Sequence, residues 1–156
     1  MRITLILTGK TKQDYLKEGV DEYLKRIRRY VPFDVLIVPD GKSTRKTDFR
    51  QIKESEGLKI LQKIKPGEYV ILLDENGKVY SSENFADHIS ALEGRTGSVV
   101  FVVGGAYGFS KEVYARANEK LSLSKMTFSH QMVRLIFTEQ LYKAFSILNG
   151  EPYHHK

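Results

Sequence analysis

The segment 99–108 combines an apolar run with closely spaced glycines, a pattern that can hold a small molecule. Residues 99–103 (Val-Val-Phe-Val-Val) have the length of a buried strand, and Gly104-Gly105-Ala106-Tyr107-Gly108 follow directly. Glycines at that point expose bare backbone at the carboxyl end of a sheet, where open α/β folds bind ligands. The spacing is neither a dinucleotide-binding fingerprint nor a P-loop. The pattern predicts either a small-molecule site or a tight strand-to-helix turn that requires positive φ.

Residues 121–130 form a second segment whose backbone can contact a ligand. Apolar and polar side chains alternate over 121–128, and a helix is predicted to begin at Ser129. Backbone N–H and C=O groups in such a stretch can be left free for a heterocycle. An ordinary edge strand followed by a helix cap explains the same pattern, and the residues alone favour that simpler interpretation.

The last residues of the chain carry groups that can move protons. Gly150 ends the last predicted helix, and Tyr153, His154, His155 and Lys156 complete the tail. Two adjacent histidines can accept protons near neutral pH or donate hydrogen bonds to a phosphate. An unstructured terminus is an equally good interpretation of this segment.

Some kinds of chemistry are disfavoured by residues that the sequence lacks. There is no cysteine, which excludes disulfides and thiolate catalysis, and no Gly-x-Ser-x-Gly motif marks a nucleophilic serine. The four histidines form no His-x-x-x-His pair and have no acidic cluster beside them; they are His88, His130, His154 and His155. We therefore expect no metal site.

An excess of positive charge makes an acidic partner such as nucleic acid plausible. Lys and Arg outnumber Asp and Glu by 25 to 19, which gives a formal net charge of +6. The basic residues cluster on the first predicted helix and in the loop after the second strand: Lys25, Arg26, Arg28, Arg29, Lys42, Arg45 and Lys46. Such a patch can bind RNA or DNA phosphates, although Lys and Arg are also common on a solvated helix face.

Strand-length apolar runs alternate with helix-length amphipathic stretches along the chain. Strands are predicted over 2–7, 33–38, 69–73 and 99–103, with a turn at 75–78. Helices are predicted over 14–31, from 47 or 48 to 64, from about 82, from about 110 and over 129–148. This alternation predicts an α/β fold with a mostly parallel sheet and helices on both faces. A chain of 156 residues fits one domain over 1–156.

The last predicted helix is apolar over more than one face. One stripe carries Val133, Ile136, Phe137, Leu141, Ala144, Phe145 and Leu148. Met132, Leu135 and Tyr142 fall outside that stripe. A second apolar face needs a second covering surface, which predicts a homodimer unless the helix is simply buried in the monomer core.

Neither a membrane span nor a secretory signal is expected. The apolar runs are of strand length, well short of the ~20 residues needed to cross a bilayer. The amino-terminal apolar run stops at Gly9, and charged residues follow closely. We therefore expect a cytoplasmic protein, which the lack of cysteine also fits.

Taken together, the motifs of the chain resemble a known family from end to end. The matching pieces lie in the same order and spacing over the full length: 6–10, 22–26, 39–42, 73–78, 103–108, 121–128 and 152–154. The chain resembles the small bacterial methyltransferases of the SPOUT class that modify N3 of a pseudouridine in large-subunit ribosomal RNA, the large-subunit methyltransferase H family. This resemblance implies a trefoil knot in the carboxyl half, a dimer, and S-adenosylmethionine as methyl donor.

The resemblance also implies roles for individual residues. It assigns cofactor contacts to Leu73, Gly104, Leu123, Ser124, Lys125, Met126, Thr127 and Phe128. His154 and Tyr153 are the candidates for the base or orienting group that acts on N3. The RNA contacts expected beside them are Arg26, Arg28, Arg29, His130, Arg134 and His155. In the family the residue after the tail histidine is often Arg or Lys, whereas here it is His155, followed by Lys156.

The resemblance implies that the substrate is an assembled ribosome, because the chain has no separate RNA-binding domain. The alternative function is a non-enzymatic ribosome-binding factor that retains the fold. A nucleotide-dependent enzyme that uses the paired glycines is disfavoured, because the dinucleotide fingerprint is absent.

Overall fold

The computed structural model describes residues 1–42, 44 and 47–152. Five strands form one sheet: β1 (Arg2–Thr8), β2 (Phe33–Val38), β3 (Tyr69–Val79), β4 (Ser98–Val103) and β5 (Glu119–Ser122). The strand order is β2-β1-β4-β3-β5, and every neighbouring pair is parallel. The prediction of an α/β fold with a mostly parallel sheet is therefore confirmed.

In the described chain four helices connect the strands, α1 (Asp14–Ile27), α2 (Phe49–Gln62), α3 (Ser82–Glu93) and α4 (Lys111–Arg116), and a fifth, α5 (Met132–Leu148), follows β5. Hydrogen bonds from capping side chains fix the residues at which three of these helices begin. Asp48 accepts a hydrogen bond from the Gln51 amide and forms a capping box at α2, while Ser81 and Ser110 cap α3 and α4. Each such cap stabilises its helix by about 0.5–2 kcal/mol.

Helices cover both faces of the sheet, as the apolar strands predict. Alternate residues of a strand point to opposite faces. Phe101 packs with the apolar sides of α1, α3 and α5 in one buried cluster, whereas Val102 packs with Ile60 of α2 and Val113 of α4 in another. β4 lies between β1 and β3, so its two apolar faces are both covered.

The turn predicted at 75–78 instead lies inside β3, which runs on to Val79. Leu73 and Lys78 both lie opposite Leu121 of β5, so 74–77 form a bulge between them. A Cβ on Gly77 would lie 2.5 Å from the backbone carbon of Lys120. Glycine is needed there because the two backbones approach so closely, and the bulge leaves 74–76 at the carboxyl edge of the sheet.

Helix α5 begins three residues later than predicted, and Phe137, Leu141, Ala144 and Phe145 of the predicted stripe are buried. Its buried residues are Arg134, Phe137, Thr138, Leu141, Ala144, Phe145 and Ser146. The second apolar side is partly covered by α1 of the same chain, because Tyr142 packs against Tyr23 and Tyr30. The covered monomer core therefore accounts for part of this side, and the homodimer stays a prediction. Within the described ranges, no helix is long and apolar enough to cross a membrane.

Candidate functional site

A cavity of about 530 Å³ opens at the carboxyl ends of three neighbouring strands, β3, β4 and β5. Four stretches of chain line it, together with one residue each from α4 and α5: 73–76, 103–109, 121–124, 126–130, Tyr114 and Val133. The volume lies within the range of small-molecule sites, about 300–1,000 Å³. The two segments that the sequence marks as exposing backbone thus meet in one place.

The residues predicted to contact a cofactor lie around this cavity, with one exception. Leu73 is the last regularly paired residue before the β3 bulge, and Gly104 directly follows β4. The loop after β5 supplies Leu123, Ser124, Met126, Thr127 and Phe128. Lys125 lies in the same loop but is not part of the lining, and it is exposed.

The paired glycines are required by close packing and not by positive φ. A Cβ on Gly104 would lie 3.0 Å from the Phe109 ring, and one on Gly105 would lie 2.7 Å from Oε1 of Glu56. Among the glycines of this turn, only Gly108 has a positive φ, of 84°. A larger residue at 104 would therefore push on Phe109, a lining residue, and change the cavity indirectly.

Hydrogen bonds within the chain fix the loop that closes the cavity. The Ser122 hydroxyl donates to the Ser124 carbonyl at 2.8 Å, and the Met126 amide donates to the Ser124 hydroxyl at 2.9 Å. The Thr127 hydroxyl donates to a carboxylate oxygen of Glu75 at 2.8 Å. The last bond joins this loop to the β3 bulge, so both walls of the cavity are held together.

The charged side chains of the described lining are acidic. Asp74 and Glu75 come from the bulge, and no Lys or Arg of the described residues lines the cavity. The Tyr114 hydroxyl donates to Asp74, and burial together with that carboxylate raises the pKa of Tyr114 to about 12. In a chain of net charge +6, this cavity favours a cationic ligand over a phosphate.

His130 lines the cavity and is half-buried. Burial lowers its pKa from 6.5, and the nearby Arg134 and Lys12 charges lower it further. The imidazole is therefore mostly neutral at pH 7, so that an RNA contact from His130 would be a neutral hydrogen bond and not a charge pair.

Arg134 does not fit the phosphate contact predicted for it. Its side chain is fully buried, and the guanidinium donates to the carbonyls of Thr8, Gly9 and His130 and to the Thr11 hydroxyl. A guanidinium with these partners is not available to a phosphate. Arg134 instead holds the end of β1 against the start of α5.

Three of the basic residues predicted to bind RNA lie at the opposite edge of the sheet. Arg26, Arg28 and Arg29 are at the end of α1, and the Arg28 side chain donates to the carbonyl of Phe33, the first residue of β2. Parallel strands begin at the amino edge, whereas the cavity is at the carboxyl edge. Within one chain the structure does not bring this patch and the cavity together.

The catalytic candidates Tyr153 and His154 and the RNA candidate His155 lie outside the described residues, as do Arg45 and Lys46. Helix α5 ends at Leu148, and the description ends at Pro152. Across the part of the chain that is described, no group of three or more metal-ligating side chains is close enough to hold a metal ion.

Glu56 lies beside the site and was not predicted from the sequence. Glu56 is buried under the glycine turn, where Oε2 accepts a hydrogen bond from the Gly41 amide at 2.8 Å and Oε1 has no hydrogen-bond partner among the described residues. Burial raises its pKa above 4.5. Its position four residues after Ile52 and four before Ile60, on the buried side of α2, was a signal that it would be buried.

The fold and the cavity define an α/β protein with a cavity of small-molecule size at the carboxyl edge of its sheet, and comparisons with known proteins give its family. The family described as predicted SPOUT methyltransferase matches residues 1–154. The chain therefore belongs to the SPOUT methyltransferase family and is a methyltransferase.

Its relatives include proteins named ribosomal RNA large subunit methyltransferase H. The chain is 50% identical to the one from Parabacteroides distasonis, 51% to that from Christiangramia forsetii and 50% to that from Flavobacterium psychrophilum, with all of each chain covered. A solved structure of a probable methylase family protein from Haemophilus influenzae matches with a TM-score of 0.53 and 15% identity, covering 99% of this chain and 70% of that one. At that identity the likeness supports the fold alone.

Proposed function

We propose that the chain transfers a methyl group from S-adenosylmethionine to N3 of a pseudouridine in large-subunit ribosomal RNA, acting in the cytoplasm on assembled ribosomes. Relatives that carry the large-subunit methyltransferase name, about 50% identical over the whole chain, support the reaction and the RNA class. A non-enzymatic ribosome-binding factor is not favoured by these relatives.

The observation that carries the cofactor proposal is the charge of the cavity. S-adenosylmethionine has a sulfonium cation and an ammonium group, which suit the carboxylates of Asp74 and Glu75. NAD and ATP carry phosphates, for which the described lining offers no Lys or Arg. The apolar side chains of Leu73, Leu123 and Phe128 suit an adenine ring, while the backbone of 123–128 supplies donors and acceptors to its edge.

For methyl transfer the protein must align N3 with the methyl group and remove one proton. The sulfonium supplies an activated methyl group, so that N3 gains the methyl carbon while the carbon–sulfur bond breaks and S-adenosylhomocysteine leaves. The chain must hold N3 in line with that bond and accept the N3 proton. We assign the proton acceptor or its orienting partner to His154 and Tyr153 in the tail that follows α5. No step requires a metal ion.

RNA phosphates are proposed to contact Arg26, Arg28 and Arg29, with His130 and His155 near the reacting base. Because the α1 patch lies at the edge opposite the cavity, one bound RNA meets both most simply across a homodimer. We therefore propose a homodimer whose substrate spans both subunits. The family match also supports one SPOUT domain over 1–156 with a trefoil knot in its carboxyl half.

The test is methylation of purified ribosomes and separated subunits, followed by mass spectrometry of the nucleosides. The proposal expects one methyl group on N3 of a pseudouridine in large-subunit RNA, formed on whole ribosomes more than on free RNA. His154→Ala should lower the single-turnover rate far more than the affinity for S-adenosylmethionine. Absence of any methylated nucleoside with the wild-type chain would overturn the proposal.

A further inference from the structure

A stacked aromatic pair lies beside the cavity and has no part in the chemistry above. Phe49 is the first residue of α2, and its ring stacks on that of Tyr107 with centroids 4.3 Å apart and planes 19° apart. Phe49 is nevertheless 59% exposed. A ring that is covered on one face and still this exposed presents its other face to solvent.

Both rings are attached to backbone that hydrogen bonds hold in place. The Asp48 capping box fixes the first turn of α2, from which Phe49 projects. Tyr107 is a lining residue and lies in the glycine turn, which the Gly108 amide closes by donating to the Gly105 carbonyl at 3.2 Å. The pair is thus positioned in advance, with Tyr107 in the wall of the cavity and Phe49 next to it.

The chain around Phe49 carries exposed basic side chains besides the acidic Asp48. Lys42 is exposed in the loop before α2, and Arg50 follows Phe49 directly. The Arg50 side chain pairs with Glu54 at 3.1 Å but remains 83% exposed. An exposed aromatic face on a segment that also carries exposed basic side chains suits a nucleobase with its phosphates.

We propose that Phe49 and Tyr107 form a stacking platform for an unpaired base of the RNA substrate, a base that flanks the methylated nucleotide. RNA loops are commonly recognised by splayed-out bases that stack on aromatic side chains. This inference rests on the proposed function. It assigns a contact with the RNA substrate to Phe49, which is not among the residues that line the cavity.

The test compares Phe49→Leu with Phe49→Tyr in the full-length chain. Phe49→Leu keeps an apolar side chain but removes the flat ring, so the KM for ribosomes should rise about tenfold, as expected for one lost base stack. Phe49→Tyr should stay near the wild-type KM. In both variants the single-turnover rate at saturating ribosomes and the affinity for S-adenosylmethionine should stay unchanged.

Leu58→Ala is the matched control, because Leu58 is 62% exposed on the same helix and lies nine residues further along the chain. It should leave the KM for ribosomes unchanged. If Phe49→Leu has the wild-type KM, or weakens cofactor binding as much as ribosome binding, the platform is wrong. A change in subunit number by light scattering would instead make the pair an interface between copies, which also overturns the proposal.

The same assay separates this inference from the proposed function. If the wild-type chain methylates no ribosomal RNA, the proposed function fails and the platform fails with it. If the wild-type chain is active and Phe49→Leu matches it, only the platform fails.

Discussion

Two charged side chains are buried near the carboxyl edge of the sheet, Arg134 of α5 and Glu56 of α2, and they differ in how many hydrogen bonds they make. Arg134 of α5 is fully buried and donates four hydrogen bonds, to Thr8, Gly9, Thr11 and His130. Glu56 of α2 is 3% exposed and accepts one hydrogen bond from the Gly41 amide, and within the described ranges its Oε1 has no hydrogen-bond partner. The first is a satisfied structural link, whereas the second is a poorly satisfied charge under the glycine turn.

This difference in hydrogen bonding predicts how far the stability of each side depends on its buried charge. Burial lowers the pKa of Arg134 to about 10, which still leaves the guanidinium charged at neutral pH. Burial raises the pKa of Glu56, because a single hydrogen bond does not replace the water it has lost. We therefore expect the α5 side to depend strongly on its charge for stability and the α2 side to tolerate losing its charge.

The largest effect is expected from Arg134→Ala. Removing this side chain takes the guanidinium donor away from the buried carbonyls of Thr8 and Gly9 and the partly buried carbonyl of His130, and it opens a cavity. The change should cost about 3–5 kcal/mol of unfolding free energy. Urea denaturation measures it. The matched control is Arg50→Ala, whose side chain is 83% exposed and which should change stability by less than about 0.5 kcal/mol. A loss below about 1 kcal/mol for Arg134→Ala would mean that the link is not structural.

A smaller effect is expected from Gly105→Ala. The new methyl group would meet Glu56 Oε1 at 2.7 Å, and crowding of this kind typically costs about 1–3 kcal/mol. In a Glu56→Ala background the same substitution should cost almost nothing, because the carboxylate is gone. A double-mutant cycle by urea denaturation measures this coupling, and strictly additive free energies would show that the two residues do not press on each other.

The smallest effect is expected from Glu56→Gln, and its sign depends on pH. Because the folded-state pKa lies above 4.5, the native state binds a proton more tightly than the unfolded chain does. The wild type therefore loses stability as pH rises from about 4.5 through the folded pKa, and the neutral variant does not. At pH 7 the variant should equal or exceed the wild type by up to about 1 kcal/mol.

Urea denaturation of wild type and Glu56→Gln between pH 4.5 and 7.5 tests this linkage. The advantage of the variant should shrink toward the acidic end of that range. An advantage that grows on acidification would contradict the raised pKa.

The strand ends were predictable from sequence because apolar runs and glycines mark them directly. The run 99–103 fits the fully covered central strand β4, and the glycines after it line the cavity. The turn predicted at 75–78 is wrong, because a long-range contact between Gly77 and the β5 backbone turns it into a bulge within β3. Local turn chemistry cannot reveal such a contact.

The two buried charges show what a pattern can miss. Both lie on the buried sides of their helices: Glu56 between Ile52 and Ile60, and Arg134 three residues before Phe137. A charged residue on the apolar side of a helix indicates a buried charge. Its hydrogen-bond partners lie in loops that are distant in sequence, Gly9 for Arg134 and Gly41 for Glu56, and the helix pattern does not reveal them. The Phe49–Tyr107 stack likewise joins residues 58 positions apart, which no local spacing predicts.

The most direct test of the whole account is calorimetric titration of the purified chain with S-adenosylmethionine and, in parallel, with NAD. The acidic lining predicts saturable binding of one S-adenosylmethionine per chain and no measurable binding of NAD. Absence of saturable binding of S-adenosylmethionine, or equal affinity for the phosphate-bearing NAD, would contradict it.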